Sequence, residues 1–342
     1  MASTIPLQFD PSALHIGTVD LRTGLSAIAL DGDTLWLACD EGCRLERLTR
    51  DGDAFSSHTS VGLSSLLTLP ADDTEEADIE GMDLADGWLW IIGSHSVKRK
   101  SPKPGDKADA VAERLATTSR DGNRHLLARI PIDGNNIRRK HGARRAASIE
   151  TRPRSSALLK AIKRGPDGEG DPHLATFVPI PGKDNGFDIE GLAVNGDRVF
   201  VGLRGPVLRG WACVLEVHPV DAGDHLELEG VDGGMPYRKH FLNLGGLGIR
   251  DLLVLGDDLL ILAGPTMALE GACAIWRWKK GAVGGPESAV APMRILPTRE
   301  TADRAEGFTD LPDGRSVMVV YDTPHTERLV GPATVLADVV RL

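Results

Sequence analysis

A short phrase repeated along the chain constrains the fold more than any other feature. Asp78-Ile79-Glu80-Gly81-Met82 returns as Asp188-Ile189-Glu190-Gly191-Leu192, and Glu306-Gly307-Phe308 is a third copy. Leu25-Ser26-Ala27-Ile28 and Ile249-Arg250-Asp251-Leu252 are weaker echoes. After each copy come a few apolar residues, a tight turn such as Asp86-Gly87 or Asn195-Gly196, and a second apolar run such as Trp88-Leu89-Trp90-Ile91-Ile92. Apolar runs joined by Asp-Gly or Asn-Gly predict hairpins, because glycine supplies the positive φ that the tightest hairpin turns require. The aligned positions Ser26, Glu80, Glu190, Arg250 and Glu306 lie 54, 110, 60 and 56 residues apart. A period of roughly 40–60 residues made of short strands is the mark of a β-propeller.

The reading is therefore all-β: a single domain over residues 1–342, a five-bladed β-propeller, with six blades as the alternative. Third strands are expected at residues 43–48, 126–130, 212–217 and 272–278. Fourth strands are expected between residues 55 and 69 and at 175–179, 240–243 and 293–296. The last blade supplies strands near 308–310, 316–321 and 333–341 and lacks a fourth, while residues 5–9 have no blade of their own. Pairing the two closes the ring and removes its open edges. The 110-residue interval then holds one blade with insertions at about 98–122 and 133–172.

Those insertions differ in composition from the rest. Residues 98–164 carry 19 Lys+Arg against 6 Asp+Glu, a net of +13, which leaves −23 elsewhere within an overall charge of −10. A short helix is expected over 155–163 and loop over 101–110 and 165–172. Opposite charge favours a basic lid lying on an acidic ring; the sharper reading is a surface for a small anionic molecule. No aromatic residue falls between Lys98 and Arg164, which argues against nucleic acid held by base stacking. The N-terminus has neither a basic start nor an apolar core, and no run approaches membrane-spanning length, so a cytoplasmic protein with no membrane partner is expected. Cys43, Cys213 and Cys273 occupy equivalent strand positions far apart in a ring, and Cys39 is a fourth apolar site, so all read as structural thiols.

In a propeller the first strand of each blade lines the axis, and the second returns to the face where the first began. The motif carboxylates should therefore meet the ends of the second strands. Asp40 and Glu41, Ser94, His95 and Ser96, Arg204, Thr266, and Asp322 with His325 occupy those ends. Asp78 and Glu80 share one side of their strand, as do Asp188 and Glu190. Carboxylates brought towards one axis repel and lose solvation, and a divalent cation or an arginine would relieve them. Oxygen-only surroundings point to Ca²⁺ or Mg²⁺ between Glu80 and Glu190, with Asp78, Asp188 and Glu306 nearby. The alternative is that each glutamate accepts backbone N–H groups of the next blade and locks the ring. Arg250 is either a built-in counter-charge or an anion anchor.

The Asp-Ile-Glu-Gly repeats, Trp-Ile-Ile-Gly-Ser-His-Ser at 90–96 and Arg-Ala-Glu-Gly-Phe at 304–308 resemble a bacterial family of unknown function. That family is similar to the phytase-like propellers described as having esterase-like activity. The resemblance implies a propeller and divalent-metal dependence; it transfers no catalytic residue, and Ser26 and Arg250 depart from its pattern. Two function classes follow. In one, a metal-dependent hydrolase of phosphoesters or carboxylesters uses His95 as proton shuttle and Arg204 or Arg250 as anion anchor, with Ser94, Asp322 and His325 contacting substrate. In the other, the propeller is a binding platform without turnover. No Gly-x-Ser-x-Gly elbow, His-x-x-x-His pair or phosphate loop is present, which removes the commonest enzyme classes.

Overall fold

The first strand of each repeat is the innermost, and the five of them pack side by side in a closed cycle. Leu25–Asp31 lies against Ile79–Ala85, which lies against Asp188–Asn195, then Gly248–Leu255, then Arg304–Asp310, which returns to Leu25–Asp31. The computed structural model describes residues 3–231, 234–267, 271–297 and 303–342. Among them the fold is all-β and propeller-like, with only two α-helices.

Each inner strand turns through its Asp-Gly, Asn-Gly or, in the fourth repeat, Gly-Asp hairpin into an antiparallel second strand: Thr34–Cys39, Trp88–Gly93, Arg198–Gly205, Asp258–Gly264 or Ser316–Asp322. Third and fourth strands follow outward where expected, for example Trp211–Val217 and Arg238–Asn243. The N-terminal strand Ser3–Gln8 pairs antiparallel with Thr334–Arg341, so the two ends of the chain are sewn into one sheet. That strand also touches Ala54–Gly62 through Leu7 and Phe55, which continues the sheet into an eight-strand path.

The core is divided rather than central. Five apolar clusters fill the spaces between neighbouring sheets, for instance Trp36 with Ile91, Phe200 with Trp278, and Leu262 with Val319. Each fully buried side chain of this size contributes about 1.5–3 kcal/mol. All four cysteines are free thiols.

The second sheet departs from expectation. Residues 175–179 are not its fourth strand: Ala175–Phe177 is a 3-10 turn. Asp171 accepts from the N–H groups of His173 (2.9 Å) and Leu174 (3.1 Å), and its own carbonyl takes Ala175 N (3.0 Å), so the chain coils before it can extend. The outer position beside Leu127–Asp133 is taken instead by Ala147–Ser148. The helix expected at 155–163 is α2, Ala157–Arg164, capped by Ser156 Oγ accepting from Leu159 N (3.2 Å). It buries Leu158, Leu159 and Ile162 between the second and third sheets. The stretch expected as loop at 101–110 ends in α1, Ala108–Ala116, where alternating alanines favour helix.

Candidate functional site

Every inner strand carries a bulge, and every bulge falls on the motif position. The antiparallel register skips Ser26 between Leu25 and Ala27, Glu80 between Ile79 and Gly81, Glu190 between Ile189 and Gly191, Arg250 between Ile249 and Asp251, and Glu306 between Ala305 and Gly307. A bulged residue has no ladder partner, and the strand bends so that its side chain is re-aimed. The motif glycine allows this at close quarters. A Cβ on Gly81 would stand 2.7 Å from Leu192 Cβ and 2.8 Å from Leu192 N of the adjacent inner strand.

The re-aimed side chains meet at a cavity of about 410 Å³. Asp78, Glu80, Asp188, Glu190 and Glu306 line it, as do Asp40, Arg204 and Asp322 from the ends of second strands. Arginines tie most of these carboxylates. Arg204 bridges Asp188 and Glu190. Arg250 Nη1 spans Glu306 (2.6 Å) and Glu190 (3.1 Å), and its Nη2 donates to Pro265 O (2.8 Å). Arg124 clasps Asp78 and donates to Glu76 (3.0 Å), Ser94 Oγ (3.2 Å) and Ser96 Oγ (3.1 Å). Burial works against the charge of Arg204, but Asp188 and Glu190 outweigh it and keep the guanidinium protonated.

Glu80 is the exception. Among the described residues no hydrogen bond or ion pair reaches its carboxyl, which is part-exposed to the cavity. Burial, and then the fields of Asp78, Glu190, Glu306 and Asp40, hold its proton well above the ordinary carboxylate range. Asp40 is pushed up to about 8 by burial and by Asp78 and Asp322. Asp188 rises to about 6, since burial exceeds the pull of Arg204. Glu306 is also raised, by burial and Asp322, against Arg250.

Several expected residues stand elsewhere. His95 is wholly buried in the wall, not at the cavity. Its Nδ1 lies 2.9 Å from Gly93 O, its ring packs edge-on to His125, and burial drives it down to about 3. A histidine so sited does not exchange protons with a ligand in the cavity. Ser94 sits behind Ser96 and holds Arg124 rather than a ligand. His325 is spent on a 3-10 turn, its Nδ1 accepting from Glu327 N (3.3 Å), and it does not line the cavity. Arg250 lies behind the lining as a counter-charge, not an anchor, and the guanidinium of Arg204 is taken by two carboxylates.

Among the described residues the glutamates do not lock the ring to neighbouring backbone; other residues do that. Asp83 Oδ2 accepts from Val194 N (2.6 Å), Asp251 Oδ2 from Phe308 N (3.0 Å), Thr309 Oγ1 from Leu30 N (3.3 Å), and Ser26 Oγ donates to Ile79 O (2.6 Å). Nor do the carboxylates make a ready metal cage: among the described residues no group of three or more His, Cys, Asp or Glu is arranged to hold an ion. Arg124 and Lys183 went unread in the sequence. A signal for Arg124 existed, because a third strand starts at the face where the second ends, and Arg124 stands three positions before Leu127–Asp133.

The model of a family described as "Protein of unknown function (DUF3616)" matches residues 24–338. The chain belongs to this family. The matched residues include all five motif copies. A comparison with curated proteins returned no match. Among solved structures, the PQQ-bound aldose sugar dehydrogenase of Streptomyces coelicolor is similar at 13% identity and TM-score 0.40, with 99% of each chain covered. Myxococcus xanthus glutaminyl cyclase is similar at 8% identity and TM-score 0.42, covering 100% of this chain and 97% of the other. The β-propeller domain of Swd1 from Myceliophteria thermophila is similar at 10% identity and TM-score 0.35, covering 92% and 84%. Nothing about chemistry is carried over from them.

Proposed function

We propose that the chain is a five-bladed propeller whose acidic motif-face pocket binds a small anionic molecule and hydrolyses an ester or phosphoester by acid–base chemistry. One observation carries the reading. Glu80 presents an unpartnered, proton-holding carboxyl to a cavity whose other carboxylates are mostly tied to arginine. Two carboxyl groups whose surroundings push them apart in acidity are the ordinary basis for an acid and a base at one site. Glu80 is the acid that protonates the leaving oxygen. Asp188, pushed up to about 6, is the base that takes a proton from water. Lys100 and Lys183 at the wall draw an anionic substrate towards the neutral acid. Hydrolysis also agrees with the likeness of the motifs to phytase-like propellers.

Ca²⁺ or Mg²⁺ forms a second reading, favoured by the mutual repulsion among Asp40, Asp78, Glu80 and Asp322. Asp40, Glu80 and Asp322 are oxygen donors and suit a hard cation, whereas Asp78, Asp188, Glu190 and Glu306 are held by arginines and do not fit as its ligands. A bound cation would supply polarisation of the substrate oxygen.

The test is turnover of p-nitrophenyl phosphate and p-nitrophenyl acetate, with and without chelator. The rate should rise through about pH 6 as Asp188 ionises and fall at higher pH as Glu80 loses its proton. Glu80→Gln should lower kcat by roughly 10²–10⁴ with little change in KM. Equal turnover by parent and Glu80→Gln would remove Glu80 as the acid, and no turnover of either ester would leave a binding platform without catalysis.

A further inference from the structure

The two insertions meet at a second cavity, of about 500 Å³, lined by Thr118, Ser119, Arg120, Arg154 and Lys163. Three flap elements build it. Arg120 follows the Lys98–Arg99/Thr118–Ser119 hairpin, Arg154 sits at the tip of the Thr151–Arg152/Ser155–Ser156 hairpin, and Lys163 is on the last turn of α2. Only Val97 is shared with the motif-face cavity.

Eight of the nineteen Lys and Arg residues of the flap are tied to carboxylates, among them Lys98 to Glu76, Arg99 to Asp184, Arg114 to Asp106, Arg129 to Asp221, and Arg152 and Lys160 to Glu150. Arg120, Arg154 and Lys163 differ in converging on one cavity. Among the described residues none of the three has an ion pair, although they stand close enough for Arg154 to oppose the charge of Arg120 and Arg120 that of Lys163. The nearby acid Asp121 is spent on Arg124 and Lys98. The same field reaches His125, which burial, Arg120, Arg124 and Lys163 hold at about 4. Three converging cations with hydroxyls beside them and no acid among them are short of an anion. A fork of guanidinium groups with an ammonium matches the oxygens of a phosphate.

We propose that Arg120, Arg154 and Lys163 form a binding site for the phosphate group of a small molecule, assembled only when both insertions are folded together. The site is separate from the motif-face pocket and does not depend on hydrolysis there. The Arg120 guanidinium is already oriented by donating to Val178 O (2.9 Å), so it meets the ligand with little loss of freedom.

Inorganic phosphate and glycerol 3-phosphate are the probes, titrated calorimetrically against the full chain and by thermal shift, with chloride matched for ionic strength. Phosphate should raise the melting temperature beyond the chloride control, and tighter binding of glycerol 3-phosphate would identify an esterified phosphate as the ligand. Arg154→Gln and Lys163→Met, both at exposed positions, should each weaken binding by roughly tenfold. Without anion, Lys163→Met should melt at or above the parent, because it relieves like-charge repulsion. The proposal is overturned if phosphate does no more than chloride, or if both variants bind as the parent does. It is equally overturned if Lys100→Gln with Lys183→Gln abolishes binding, which would place the anion in the other cavity.

Discussion

At the scale of single residues, the site is defined by which carboxyls lack a counter-charge. Glu190 meets Arg204 and Arg250, Asp78 meets Arg124, and Glu80 meets neither. Burial raises Asp40 and Glu80, and a raised carboxyl stabilises the fold in its neutral form. Its contribution is therefore complete below the unfolded value near 4 and is lost as pH rises through the folded value. For Asp40 the window runs from about 4 to about 8. Thermal melts of Asp40→Asn should match the parent at pH 4 and exceed it at pH 8, by an amount on the order of a few kcal/mol once solvent screening is allowed for. A parent that gains stability between pH 4 and 8 relative to this variant would refute the assignment. The carboxylates were legible in the sequence because they recur. Their partners were not, since an arginine that answers Asp78 stands 46 positions on, at 124, with no repeat to align it.

At the scale of elements, the recurring unit is an inner strand with a bulge at one position and a glycine after it. The hairpins, the inner strands and their phase were all readable from alternating apolar runs and turn residues. The bulge was not, because a register skip leaves no mark in composition; only the coincidence of five aligned positions hinted at it. Gly81→Ala drives a Cβ to 2.7 Å from Leu192. Neither backbone can yield without opening the ring, so a loss of about 1–3 kcal/mol is expected from urea midpoints. Asp251→Ala tests the locking role separately. It strands the N–H groups of Phe308 and Leu252 and should cost about 1–3 kcal/mol, with the cavity's ligand affinity preserved. If Asp251→Ala is neutral, the Asp251 hydrogen bonds do not help to hold the ring.

At the scale of the whole molecule, a basic flap lies against an acidic ring. Lys98 with Glu76, Arg99 with Asp184 and Arg129 with Asp221 are its seams, and Lys100, Pro102 and Leu115 form part of the cavity wall. Part-exposed pairs of this kind weaken as the Debye length shortens from about 10 Å at 0.1 M to about 3 Å at 1 M salt. Trypsin cleavage within residues 98–122 should accelerate with salt, whereas cleavage at Arg124, which is buried, should not. Equal cleavage rates at every salt concentration would make the flap a free loop. The charge contrast was plain in the sequence. Its route over the cavity was not, because the outer strand of the second sheet comes from Ala147–Ser148 and residues 175–179 coil instead.

The central claim is that Glu80 holds its proton well above the ordinary glutamate range inside the cavity. Carbon-13 NMR of protein labelled at the glutamate side-chain carboxyl tests it directly, with Glu80→Gln identifying the resonance by its disappearance. The account predicts that this signal titrates well above the ordinary glutamate range. A Glu80 resonance that titrates near pH 4.5, together with the exposed glutamates, would contradict it.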